Sequence, residues 1–230
     1  MRSMNGRARL AMTSLAVTAA VVAGGCSGGE PTGGKAGGAA PPLVLQMVNA
    51  YGDLKVVPSV EYFVSQVKER SGGNLRIEVT SSYGDFADDA EQQVVRAVAA
   101  RKADLGWAGA RVFDTIGVTS FQALQAPMLI DSYSLEQAVI ASSIPGQMLQ
   151  GLDKVGVHGL GVVADALRKP AAVKHPLLEA ADWRGITFGT VKSEGQAQAI
   201  QALGANPKEV FRRSRKEALR AGKLLSLIHI

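Results

Sequence analysis

Leu43-Val44-Leu45-Gln46-Met47-Val48, and the stretch that runs from it to Ala108, decide the fold. The opening run is short and apolar at every position but Gln46, which reads as a buried strand. Pro58-Ser59 then opens a helix whose Val60, Phe63, Val64 and Val67 fall on one face, and Gly72-Gly73 ends it. Leu75, Ile77 and Val79 alternate with Arg76, Glu78 and Thr80, the period of a half-buried strand. Asp88 followed three residues later by Glu91 has the spacing of a capping box, for a helix through Val94, Val95 and Val98. Leu105-Gly106-Trp107-Ala108 completes the series as a third strand. Strand, helix, strand, helix, strand calls for a parallel sheet with helices on its faces.

Beyond Trp107 the pattern loosens, with Pro127 breaking the run after Phe121 and Leu124. Ser134 and Gln137 offer a cap for a helix through Leu135, Ala138 and Val139. Pro145-Gly146 interrupts it, and Met148, Leu149 and Leu152 continue an amphipathic stretch. Val157 to Val163 reads as a buried strand and Ile186-Thr187-Phe188 as another. Ser193 with Gln196 caps a helix through Ala199, Ile200 and Leu203, closed by Gly204. The second half repeats the grammar of the first without repeating its sequence. The expectation is an α/β protein of two lobes, residues 43–156 and 157–224, each a wound sheet.

Upstream of this body, Arg2, Arg7 and Arg9 precede an apolar run from Leu10 to Ala23, then Gly24-Gly25-Cys26. A basic start, a short apolar stretch and small residues at a cleavage point mark an export signal, here residues 1–26. The apolar run is short of the ~20 residues that span a bilayer. Ala23-Gly24-Gly25-Cys26 resembles the lipobox of bacterial lipoproteins, with Ala23 where Leu is usual. That resemblance implies cleavage before Cys26 and lipidation of its thiol; the alternative is an ordinary signal with a chance cysteine. Cys26 is the chain's one cysteine, so no disulfide staples the body. Residues 27–42, Gly- and Pro-rich, read as a flexible tether. The expected location is exported, lipid-anchored to the outer face of the cytoplasmic membrane or in the periplasm.

The net charge of +5 misleads, because Arg2, Arg7 and Arg9 supply three of those charges and most of the rest lie between Lys208 and Lys223. A near-neutral body does not call for nucleic acid. Nor does the chain carry the marks of an enzyme. His158 and His175 have no metal-ligand spacing, and neither a Gly-x-Ser-x-Gly elbow nor a P-loop is present. Gly159-x-Gly161-x-x-Ala164 matches a dinucleotide fingerprint but sits inside an expected strand instead of opening a helix. Asp85, Asp88 and Asp89 are accounted for by capping and solvation. No catalytic residue, metal or cofactor is expected.

Four segments carry a family resemblance. Phe63 to Leu75, FVSQVKERSGGNL, is similar to a first helix and Thr-Gly-Gly turn; Ala103-Asp104-Leu105-Gly106 to an x-D-x-G strand; Ala126-Pro127-Met128-Leu129 to a Leu-Pro-Phe-Leu segment. Leu203-Gly204-Ala205-Asn206-Pro207 matches its counterpart most specifically. In this order and spacing they resemble the solute-binding proteins of TRAP transporters, from about Leu43 to about Lys223. The resemblance implies a two-lobed periplasmic binding protein fold with doubly wound sheets and a ligand cleft between the lobes. It implies a small organic ligand, commonly a carboxylate, handed to TRAP membrane permease subunits, with no chemistry of its own. A binding lipoprotein of an ABC importer or sensor system, an exported enzyme and a ligand-free surface lipoprotein remain as alternatives.

Ligands of open α/β sheets sit beyond the carboxyl ends of the strands. That rule points to Asn49 and Tyr51 after the first strand, Tyr83 after the second and Trp107 at the third. Trp107 reads equally as a core aromatic, and Tyr83-Gly84-Asp85 equally as a turn. Arg168, in Ala166-Leu167-Arg168-Lys169, aligns with a cleft arginine of the family and would fork onto a carboxylate; the alternative is a surface arginine beside Pro170. The family's second arginine, in Leu-Lys-Ile-Arg-Val-Pro, is missing. Aligned on Gly185, its place is taken by Gly189, followed by Thr190. On this reading Gly189 leaves room, and the ligand is bulkier, neutral, or held by Arg168 alone.

The family pattern runs on past Lys223 into an Asp-Gly that does not arrive. Leu225-Ser226-Leu227-Ile228-His229-Ile230 resembles the translation of a transposon-end sequencing adapter. The expectation is a gene fragment with an incomplete second lobe and a non-native tail at 225–230, His229 carrying no chemistry and Arg212 to Lys216 forming an exposed helix face.

Overall fold

A computed structural model describes residues 41–54, 57–172, 176–224 and 226–229. Cys26, the leader and nearly all of the tether lie outside the described residues, as does His175. Within the body three strands form a parallel sheet in the order β2-β1-β3: β1 (Leu43–Asn49), β2 (Leu75–Thr80) and β3 (Leu105–Trp107). The register sets Leu43 against Leu75 and Asn49 against Trp107. Adjacent β1 residues point to opposite faces, so Met47 packs with Leu54, Val60 and Ile77, while Val48 packs with Ala90, Val94 and Ala97. Both faces are therefore covered, the first by α1 (Pro58–Arg70) and the second by α2 (Ala90–Ala99). Pro58 at the first helical position of α1 gives up an N–H that would be unpaired there anyway. The expected series from Leu43 to Trp107 is thus present in order and sense.

The expected capping box at the start of α2 is not. Asp89 holds the cap position without a side-chain capping bond, its carboxylate accepting from Gln93 Nε2 at 2.8 Å and Arg96 Nη2 at 2.7 Å instead. Asp88 instead accepts from the Phe211 backbone N–H at 3.0 Å and the Ser214 hydroxyl at 2.8 Å. Glu91 is buried in an ion pair. Long-range partners have taken both carboxylates from a local role.

The second sheet has four strands in the order β4-β7-β5-β6: β4 (Lys169–Ala172), β5 (Thr187–Thr190), β6 (Asn206–Glu209) and β7 (Ser226–His229). β5 runs parallel to β6 and β7, and β4 runs antiparallel to β7, so this sheet is mixed. The two sheets lie on either side of Gly156 in sequence. Residues 226–229, expected as a tail, pair on both edges as β7.

Two helices form near their predicted places. Helix α3 (Tyr133–Ala141) is capped by Ser132, whose Oγ accepts from the Leu135 N–H at 3.3 Å, rather than by Ser134. Ser134 Oγ bonds Ser132 Oγ instead, at 3.3 Å. α4 (Ile144–Gln150) follows. Helix α5 (Glu194–Ala202) has the predicted cap, Ser193 Oγ accepting from the Gln196 N–H at 3.2 Å. α6 spans Arg212–Arg220, and its Arg212 lies 5.7 Å from both the Tyr51 and Phe86 ring centroids rather than facing solvent alone.

Val157 to Val163 is not a buried strand. It runs without regular structure, with Leu160 69% and Val163 50% exposed. Apolar composition alone does not make a strand; a ladder partner must supply the hydrogen bonds, and none of the described strands pairs with it. His158, expected in that strand, is exposed and lies 3.3 Å from Asp153.

Candidate functional site

The carboxyl end of β1 places Asn49 and Tyr51 where the sequence puts them. Asn49 is fully buried and spends its amide on the fold: Nδ2 donates to Thr80 O and Ser81 Oγ, and Oδ1 accepts from the Tyr51 N–H at 2.8 Å. Its carbonyl accepts from the Tyr83 N–H at 2.8 Å. Tyr83 packs on the Val48 core beside a turn with Gly84 at φ +79°, the turn reading of that segment. Trp107 packs against the Met47 and Val60 core, the structural reading of that side chain.

Tyr51 reaches further. Its hydroxyl lies against the Glu91 carboxylate and accepts from Arg111 Nη2 at 2.7 Å. Arg111 Nη2 also donates to Glu91 Oε1 at 2.9 Å, and both charged side chains are 4% exposed. A buried pair persists only with such geometry, because each charge has lost its water. Desolvation, with Glu91 beside it, drives the Tyr51 pKa well above the ordinary phenol range despite the opposing pull of Arg111. Desolvation also works against the Arg111 charge, but Glu91 and Tyr51 together outweigh it and the guanidinium is held above its usual value. Gly109 makes room for this group: a Cβ there would lie 2.5 Å from Arg111 Nη1.

Arg111 begins a cluster that sequence reasoning missed. It sits on the 3-10 turn Ala110–Ile116 with Asp114. Asp114 Oδ2 accepts from the Ser193 hydroxyl at 2.7 Å and the Gly195 N–H at 2.8 Å, tying the turn to the start of α5. Gln92 donates to Thr115 Oγ1 and to Lys192 O. Gln125 Oε1 accepts from Gln196 Nε2 at 3.2 Å and from Arg168 Nη1 at 2.9 Å. The sole hint in the sequence was an arginine and an aspartate three apart, a spacing too common to single out.

Arg168 thus joins the cluster through Gln125. The residue is exposed overall, yet its pKa is lowered to about 10, by desolvation first and then by the Arg111 charge. It remains a cation at neutral pH. Among the described residues it makes none of the ion pairs.

Gly189 is a correction. It does not open onto a cleft: a Cβ there would meet Leu224 Cδ1 at 2.9 Å and Val210 Cγ2 at 3.1 Å. Strand alternation sends Phe188 to the α5 side, stacked on Trp183, and turns position 189 into the Val210, Ala218 and Leu224 core. No room is left for a larger ligand there. Thr190 is also buried and donates to Gln196 Oε1 at 2.8 Å.

The depression lined by Arg111, Asp114, Phe121, Gln122 and Gln125 opens no water-sized void in this state. Among the described residues no group of acidic, histidine or cysteine side chains is arranged to hold a metal ion, and no helix is long and apolar enough to cross a membrane.

A family model described as bacterial extracellular solute-binding protein, family 7, matches residues 49–211. The chain belongs to this family. The resemblance seen in Phe63 to Leu75 and Leu203 to Pro207 is thereby borne out. No curated protein matches the family 7 chain in sequence. Similar solved structures include a TRAP periplasmic solute-binding protein from Pseudomonas aeruginosa PAO1 with bound L-malate, at 20% identity and TM-score 0.70, covering 82% of this chain and 64% of that one. Another, from Sulfitobacter sp. NAS-14.1 with β-D-galacturonate, has 15% identity and TM-score 0.68, covering 81% and 61%. A third, from Polaromonas sp. JS666 with D-erythronate, has 16% identity and TM-score 0.70, again covering 81% and 61%. Such identities speak for the fold, and the family 7 chain spans about three fifths of the length of these proteins.

Proposed function

We propose that the chain is the ligand-capturing subunit of a TRAP-type secondary transporter, and that it takes a small organic carboxylate on Arg168 for delivery to a membrane permease. The observation that carries this reading is the guanidinium of Arg168, which makes none of the ion pairs among the described residues and whose hydrogen bond runs to the neutral Gln125. A carboxylate is the partner such a fork suits. The bound L-malate, β-D-galacturonate and D-erythronate of the similar structures support the same class. Titration calorimetry of the full chain against these three acids tests it. Arg168→Ala should weaken the best binder by roughly ten- to a hundredfold, the worth of a charge-assisted hydrogen bond. Unchanged affinity in that variant would refute the role of Arg168. Lipidation of Cys26 belongs to the same proposal, supported by Ala23-Gly24-Gly25 before it. Intact-mass measurement of membrane-extracted protein should show the acyl mass on Cys26, and a free thiol there would sink that part.

A further inference from the structure

We infer that the exposed face of α6, with Arg212, Lys216 and Arg220 in one row, docks the protein on a membrane surface of anionic phospholipid headgroups. The inference stands apart from the carboxylate reading above.

The charge of this chain is unevenly placed. Residues 43–207 hold fourteen lysines and arginines against seventeen aspartates and glutamates, whereas residues 208–223 hold seven against two. The fold concentrates the second group further. Helix α6 packs Ala218 and Leu219 against Val210 and Leu224. Arg212, Lys216 and Arg220, four residues apart, then fall on one outward face about 12 Å long, and all three are exposed. Lys208 before the helix and Lys223 after it are exposed as well. Among the described residues none of the ion pairs involves this row, nor Glu217, the one carboxylate of the helix.

The row opposes the helix that carries it. Like charges at i and i+4 repel one another. The first turn of α6 has no acidic residue and sets Arg212 against the positive end of the helix dipole. Asp88 reaches this end but accepts from the Phe211 N–H at 3.0 Å and the Ser214 hydroxyl at 2.8 Å. The row is nonetheless held in place, because Arg212 Cζ lies 5.7 Å from both the Tyr51 and Phe86 ring centroids. A layer of negative headgroups supplies the counter-charge and relieves both repulsions at once. Two observations favour a membrane over a nucleic acid. The family is one of bacterial extracellular proteins. The rings beside the row, Tyr51 and Phe86, lie under Arg212 and are not presented for bases to stack on.

The test is a lipid titration of the full chain carrying Cys26→Ser, so that no acyl chain contributes. Vesicles of phosphatidylcholine are compared with vesicles in which about 30% is replaced by phosphatidylglycerol, a mixture that makes the surface negative. The leader is common to every variant and cancels. The partition coefficient on the anionic vesicles should fall about thirtyfold in Lys216→Gln, Arg220→Gln, from about fivefold per cation, with partition on neutral vesicles unchanged. Raising NaCl from about 0.05 to about 0.5 M should narrow the gap between wild type and variant to within about threefold. A second variant, Arg76→Gln with Lys154→Gln, removes two exposed cations from elsewhere and should bind like the wild type. An anionic preference undiminished in Lys216→Gln, Arg220→Gln overturns the inference. So does an equal loss in Arg76→Gln, Lys154→Gln, which would mean that net charge alone acts. Retention on a heparin column that depends on Lys216 and Arg220, without binding to anionic vesicles, would assign the face to a soluble polyanion and overturn the membrane.

Discussion

Replacing Gly109 with alanine should destabilise the fold by about 2–4 kcal/mol, although a methyl group is all that is added. The backbone raises no objection, since Gly109 lies at φ −67° and ψ 137°, open to any residue. The obstacle is the Arg111 guanidinium, with Nη1 2.5 Å and Cζ 2.8 Å from the new Cβ. Comfortable contact needs about 3.5 Å, so the group must retreat by roughly 1 Å. On a surface arginine this would cost little. Here Nη2 is held at 2.7 Å by Tyr51 and 2.9 Å by Glu91. A retreat of that size stretches both bonds past their useful range of about 3.2 Å. Breaking a buried pair outright costs about 3–5 kcal/mol, and partial relaxation brings the figure down. Urea denaturation reads it directly; by heat the midpoint should fall by roughly 4–16 °C. The decisive control is the same substitution in an Arg111→Met, Glu91→Gln background, where its cost should shrink to within about 0.5 kcal/mol. A wild-type cost below about 0.5 kcal/mol, or an undiminished cost in the control, would refute the account.

Arg101 offers the opposite sign. It follows α2 at φ +57°, with the Lys102 N–H on Ala97 O and the Arg101 N–H on Val98 O, a Schellman closure that favours glycine. Arg101→Gly should stabilise by about 1 kcal/mol in urea denaturation, and a loss of stability would contradict the backbone argument. Carboxylate affinity should be flat from pH 6 to 9. The Arg168 pKa is depressed only to about 10, so the cation persists below that and its hold on the ligand weakens only as pH approaches it. Burial keeps the Tyr51 hydroxyl protonated throughout. A midpoint near neutrality in the calorimetric pH series would mean that another group controls binding.

The first sheet was legible because everything that defines it is local. The alternation of Leu75, Ile77 and Val79 and the helical spacing of Val60, Phe63, Val64 and Val67 each lie within one element. The Ser193 cap was legible for the same reason, its bond spanning three residues. Reading failed where the partner is remote. Asp88 and Glu91 have the spacing of a capping box, but Phe211, Ser214 and Arg111 claim them. No local pattern announces a bond across more than a hundred residues. The run from Val157 to Val163 failed similarly, since strand formation depends on a neighbour that the run itself does not specify. Of the site, Arg168 was visible by alignment, whereas the pairing of Arg111 with Tyr51 and Glu91 exists only in the folded chain.

Gly189 shows why the missing arginine need not mean a missing anion site. The residue is packed against Leu224 and Val210, so position 189 belongs to the core of the second sheet. An arginine there would have to displace that core, and its absence removes no charge from the Arg168 cluster. Glu91 pairs with Arg111 at 2.9 Å, while the Arg168 hydrogen bond runs to the amide of Gln125. Desolvation first and the Arg111 charge second lower the Arg168 pKa to about 10, and on the proposed reading an incoming anion would offset that second effect. On the proposed reading a single carboxylate would balance the Arg168 charge.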